Sequence, residues 1–116
     1  MIRRMATTHL FAGIAVVDFA AAQAFYERLL GRAPDMLPHA TEAAWQLTDT
    51  GWLYVVEDAG AAGQGRFTIL VEDLEAEIAA LAQRGLEAGA IETLGSGART
   101  VELRDPEGNR VAFGQP

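Results

Sequence analysis

Short apolar runs and amphipathic stretches alternate along this chain, and the alternation occurs twice. The run Leu10 to Val17 leads into Asp18 and then into an apolar stripe at Ala22, Phe25, Tyr26, Leu29 and Leu30. The run Arg66 to Val71 leads into Asp73 and a stripe at Leu74, Ile78, Leu81 and Ala82. A brief apolar run bounded by polar or glycine-rich sequence predicts a strand, and apolar residues three and four apart predict a helix with one buried face. Each aspartate stands where its carboxylate would accept backbone N–H groups of the first helical turn. Gly31 and Gly85 follow the stripes and suit a left-handed helix end.

The two segments are copies of one unit. At an offset of 55 residues Ile14 matches Ile69, Val16 matches Val71 and Asp18 matches Asp73. Each helix is followed by a hairpin-like stretch, "AAWQLTDTGWLYVVED" from Ala43 and "RTVELRDPEGNRVAFGQ" from Arg99. Their turns, "TDTG" and "DPEG", predict positive φ at Gly51 and Gly108. Weaker strands are expected near Pro34 to Leu37 and Ala90 to Leu94. The unit is β-α-β-β-β, written twice, with modules at about 7–58 and 66–116 and a Gly/Ala-rich linker at 59–65. One module buries too little surface to be stable alone, so residues 1–116 are read as a single domain in which two modules pair. The expected class is α+β: two βαβββ modules forming a concave mixed sheet, with helices on the outer face. The pairing is either within one chain or swapped between two copies.

Composition narrows the chemistry. The chain has no cysteine, which excludes disulfides, zinc–thiolate sites and cysteine nucleophiles. Its net charge of −7 disfavours nucleic acid and anionic membranes as partners and tolerates cationic small molecules. Arg3 and Arg4, the following apolar run and the alanines from Ala20 imitate a signal peptide. Asp18 interrupts that pattern and the segment has an internal copy, so it is read as part of the fold and the location as cytoplasmic. No apolar stretch is long enough to span a bilayer. No serine–histidine–acid grouping, phosphate loop or dinucleotide fingerprint is present.

The stretches "VVDFAAAQAFYERLLGR", "VEDLEAEIAALAQRG" and "DPEGNRVAF", on a paired βαβββ layout, resemble the vicinal oxygen chelate superfamily. That group includes glyoxalase I, extradiol dioxygenases, and bleomycin- or fosfomycin-resistance proteins. The resemblance runs from about His9 to Gln115 and implies a pocket within the concave sheet. In metal-dependent members it also implies a cation held by four strand positions, two per module, that polarises oxygens of the substrate.

Carried over one at a time, those positions fall on Phe11, seven residues before Asp18, and on its counterpart Arg66. The last-strand positions fall on Ala112, four residues after Gly108, and on Val55 or a close neighbour. None of these side chains ligates a cation, so neither a metal nor another cofactor is expected. His9 shares the parity of Phe11, but one ligand does not make a site.

Strand alternation extends the pocket to same-parity neighbours. It selects Phe11 and Gly13 in the first strand, and Gln46, Val55 and Glu57 with Leu53 in the first hairpin. It selects Arg66 and Thr68 in the second module's first strand, and Glu102 and Ala112 with Arg104 and Arg110 in its hairpin. Trp45, Leu47, Tyr54, Val56, Val101, Leu103, Val111 and Phe113 are expected on the core side. An apolar base with a few polar groups is the ordinary character of a small-molecule pocket. Arg66 would clamp a carboxylate or phosphate, or pair internally with Glu102 or Glu57. No catalytic residue is assigned.

The favoured reading is a metal-independent binding protein for a small-molecule ligand, similar to the antibiotic-sequestering bleomycin-resistance proteins, working as a homodimer with or without swapped modules. Two alternatives stay open: an enzyme of the glyoxalase, lyase or dioxygenase type, with or without metal, and a non-catalytic interaction module.

Overall fold

The computed structural model describes residues 6–116; Arg3 and Arg4, the basic start of the signal-like pattern, lie outside them. The elements run β1 (Leu10–Val16), α1 (Phe19–Leu30), β2 (Met36–His39), β3 (Glu42–Gln46), β4 (Gly51–Glu57), β5 (Arg66–Leu70), α2 (Leu74–Gln83), β6 (Glu92–Thr93), β7 (Arg99–Arg104) and β8 (Arg110–Gln115). They form two four-stranded sheets of identical order, β1-β4-β3-β2 and β5-β8-β7-β6. In each, the first strand runs parallel to the last and the remaining pairs are antiparallel. The class is α+β, two βαβββ modules. Among the described residues no helix is long and apolar enough to cross a membrane.

The helices begin and end where the sequence signals them. Asp18 accepts a hydrogen bond from Ala21 N (3.1 Å) and Asp73 one from Ala76 N (3.0 Å), satisfying donors the helix cannot use itself. Gly31 and Gly85 adopt φ of 76° and 84° just beyond the helix ends, a region hostile to side chains with a Cβ. The Arg84 guanidinium at the end of α2 donates to the carbonyls of Arg28 and Leu29, so the second helix caps the first.

One face of each sheet is covered. Ile14, Val16, Trp45, Leu53 and Val55 pack with Tyr26 and Leu29 of α1, while Val101, Leu103, Val111 and Phe113 pack with Leu74 and Leu81 of α2. Burial of each such large side chain contributes about 1.5–3 kcal/mol, which is the main drive for the layer.

The "DPEGN" turn joins the halves. Asn109, fully buried, donates from Nδ2 to the Ala15 carbonyl (3.1 Å) and accepts at Oδ1 from Gly65 N (2.7 Å). The Glu107 carboxylate accepts from Val17 N and Asp18 N, each at 2.8 Å. Read from sequence, this stretch is only a turn before a strand. In the folded chain it ties β1 to β5 and β8.

Two expectations are corrected. Gly51 is not among the glycines at positive φ. It is already the first residue of β4, and its carbonyl accepts from Leu47 N and Thr48 N. Gly108, at φ 92°, instead stands two residues before β8. The two turn glycines are therefore not equivalent, and counting from them slips the first hairpin by one residue. A slip of one exchanges the faces of a strand. Leu53 and Val55 accordingly lie in the core, and Tyr54 and Val56 on the open face. Glu57 sits exposed at the end of β4 opposite Val16, on the covered-face parity. Leu47, expected inside, is exposed beyond the end of β3.

Candidate functional site

The face opposite the helices carries the candidate site. In the first module cross-strand register builds it from rows: Phe11–Trp52–Gln46, then Gly13–Tyr54–Ala44, then Ala15–Val56–Glu42. In the second module the rows are Arg66–Arg110–Arg104, Thr68–Ala112–Glu102 and Leu70–Gly114–Thr100. Seven of the nine residues expected in the pocket, Phe11, Gly13 and Gln46 with Arg66, Thr68, Glu102 and Ala112, therefore stand on this face. Val55 and Glu57 do not, for the reason of register given above.

The Phe11 and Trp52 rings are stacked, with centroids 5.3 Å apart and planes 12° from parallel. Phe11 remains 47% exposed, so the pair presents aromatic surface to the outside. Beside it the far end of the Tyr54 ring lies against Gly13. A Cβ added at Gly13 would stand 2.3 Å from Tyr54 Cζ, so only glycine leaves room for that ring position. Next to Trp52 a groove of about 290 Å3 runs between the edges of β1 and β5, lined by Thr68 and Leu70 of the open face and by Leu10, Leu53 and Phe67, of covered-face parity. Its lining is mostly apolar, as small-molecule pockets are.

With the register known, the four positions that chelate a cation in metal-dependent members become Phe11, Tyr54, Arg66 and Ala112. A phenyl ring, a guanidinium and a methyl group supply no ligand, and a single phenol does not make a divalent site. Among the described residues no group of three or more His, Cys, Asp or Glu side chains is placed to hold a metal ion. His39 is engaged locally, its Nε2 2.9 Å from Glu42 Oε1 and its Nδ1 beside Thr41. The donor set does not fit a chelated cation.

Arg66 makes neither of the internal pairs considered from sequence. Glu102 is nearest Arg104, at a long 3.9 Å. The alternation of the second hairpin places Arg104 and Arg110 on this face. Sequence reading does not show that they stand in one row with Arg66, because that alignment is a product of cross-strand register. Sequence alternation puts Tyr54 on the core side and leaves Trp52, at a strand start, open to either face; both stand on the open face. The signal was available in part: strand starts, rather than turn glycines, are the points to align.

The family profile of the glyoxalase-like domain matches residues 12–113. The chain belongs to the glyoxalase-like family. Several solved structures share this glyoxalase-like fold. A glyoxalase/bleomycin resistance protein from Catenulispora acidiphila is 46% identical, with a TM-score of 0.89 over 95% of this chain and 99% of that one. The antibiotic binding protein TnmS3 from a Streptomyces species is 23% identical, with a TM-score of 0.76 over 97% and 99% of the two chains. A lactoylglutathione lyase from Agrobacterium tumefaciens is 21% identical, with a TM-score of 0.74 over 97% and 96%. The latter two likenesses concern the fold alone. No match was found among curated proteins. Within the glyoxalase-like family, then, this chain keeps the open sheet face and carries aromatic and arginine side chains where metal-dependent members of the superfamily carry ligands.

Proposed function

We propose that the protein binds a small molecule on its open sheet face without a metal ion. The observation that carries this reading is the stacked, half-exposed Phe11–Trp52 pair at a position that would otherwise serve a chelate. Exposed aromatic faces are costly to leave in water and gain from an offset-stacked partner. The apolar groove beside the pair offers room for the rest of the ligand. The favoured ligand is planar and aromatic at one end. The similarity to a glyoxalase/bleomycin resistance protein and to an antibiotic binding protein is in keeping with drug sequestration as the biological use.

Apolar surface at the two sheet edges also supports assembly as a homodimer. Leu10 (71% exposed) and Leu70 (67% exposed) leave apolar surface at the edges of β1 and β5 that a second copy would cover. Sedimentation or light scattering on the purified protein reports this directly, and a monomer at all concentrations contradicts it.

Trp52 provides the assay for binding. Trp45 is fully buried and its Nε1 donates to the Arg32 carbonyl, so an added ligand reaches only Trp52. Titration of planar aromatic compounds is expected to quench Trp52 emission saturably, and equally with and without a strong chelator. Failure of a broad aromatic and antibiotic panel to quench it, or quenching that requires added metal, overturns the proposal.

A further inference from the structure

We infer that Arg66, Arg104 and Arg110 form an oxyanion-binding site that holds a phosphate or carboxylate group of the ligand. This deepens the proposed function and rests on it. The three arginines are directly opposite one another on β5, β8 and β7, paired Arg66 to Arg110 and Arg110 to Arg104. They line one pocket of about 280 Å3, whose remaining wall includes Gly63, Gly65 and Gly108. Gln64 completes the wall.

The arrangement is unfavourable for the protein alone. Like charges directly opposite across a sheet destabilise it. Here they recur over three strands, and among the described residues no carboxylate pairs with Arg66 or Arg110. Arg104 has only the distant Glu102. The nearby Glu107 carboxylate is held instead by the amides of Val17 and Asp18. The chain carries 16 acidic residues against 9 basic ones, so a row of arginines without a carboxylate between them is not a general consequence of composition. A local rule broken without internal compensation marks a functional position. Guanidinium groups bind planar and tetrahedral oxyanions through paired, charge-assisted N–H bonds, and several together favour a doubly charged group such as a phosphate monoester.

The halves of the chain then divide the work. Phe11, Trp52 and Gln46 in the first module occupy the rows that Arg66, Arg110 and Arg104 occupy in the second. One module offers an aromatic platform and the other an anion site, at equivalent points of the same repeat. The anion site calls for a ligand bearing an oxyanion, which runs against the preference for cations that the net charge suggests.

Titration of the intact protein with inorganic phosphate and with acetate, at constant ionic strength set by sodium chloride, tests the site through the melting temperature. Phosphate is expected to raise it saturably. R66Q and R110Q are expected to weaken phosphate binding about tenfold or more, the loss of a charge-assisted contact. R99Q removes the same charge from a remote ion pair with Glu75 and is expected to bind phosphate like the parent. Both row variants should melt at or above the parent temperature without ligand, because each relieves repulsion. Tighter binding of phosphate than acetate assigns a phosphoryl ligand, and the reverse assigns a carboxylate. No saturable shift with either anion, or equal binding in R66Q, R110Q and R99Q, overturns the inference. Because Trp52 quenching by neutral aromatics is read separately, loss of the anion site and loss of the aromatic site are distinguishable outcomes.

Discussion

The Tyr26 hydroxyl donates a 3.0 Å hydrogen bond to Asp105 Oδ2, linking the first helix of one half to the turn of the other. Asp105 is almost fully buried and has no free capacity. Its Oδ1 accepts from Glu107 N and Asn109 N, and its Oδ2 also accepts from Asn109 Nδ2. Removing the carboxylate therefore strands four donors at once. Asp105→Ala is expected to cost more than about 3 kcal/mol, since each stranded buried donor costs about 1–3 kcal/mol. Tyr26→Phe removes only one donor and should cost about 1 kcal/mol. Urea unfolding of both variants checks the order, and equal costs would contradict the network.

The same contact sets the alkaline limit. Burial raises the Tyr26 pKa above its ordinary value of 10.0, and the neighbouring Asp105 charge raises it further. The folded state therefore holds the proton more tightly than the unfolded chain. The contribution is complete below pH 10.0, where both states are protonated, and is lost above it as the unfolded chain ionises first. Melting temperature should fall as pH rises past this point, and Tyr26→Phe should flatten the fall. An unchanged slope in the variant would assign the alkaline transition elsewhere.

The register of β4 has a direct consequence for stability. Leu53 is in the core and Tyr54 is on the open face. Leu53→Ala should cost about 2–5 kcal/mol through the cavity it leaves. Tyr54→Ala should change stability far less while weakening ligand binding. The reverse pattern in denaturant melts would restore the register expected from counting after the turn glycine.

Gly13 controls the platform through space alone. In Gly13→Ala the new methyl collides with the Tyr54 ring, which is the free end of a side chain and can swing away. The variant should fold with a stability loss of about 1 kcal/mol or less and bind aromatic ligands more weakly, because the ring no longer lies against β1. Tyr54→Ala with Gly13→Ala should then be no worse for binding than Tyr54→Ala alone. A further loss in the double variant would mean that Gly13 serves the ligand directly.

Much of this architecture is written locally. Asp18 and Asp73 cap helices, Gly31 and Gly85 end them, and apolar stripes face inward, all because these effects act within a turn or two of chain. The repeat at 55 residues follows from the same patterns, and with it the βαβββ layout. The absence of chelating side chains at Phe11, Arg66 and Ala112 was also legible, since those positions lie at short counts from recognisable signals. The rest depended on which residue faces which across strands. Tyr54 rather than Val55 reached the open face because a tight turn starts β4 at Gly51, whereas β8 starts only after Asn109. The Phe11–Trp52 stack, the Arg66–Arg110–Arg104 row and the Tyr26–Asp105 bond each join residues at least 41 positions apart in one of their pairings. Local sequence does not specify such pairs, because a single residue of register exchanges the faces of a strand, and register is settled only when the whole sheet packs against its helix.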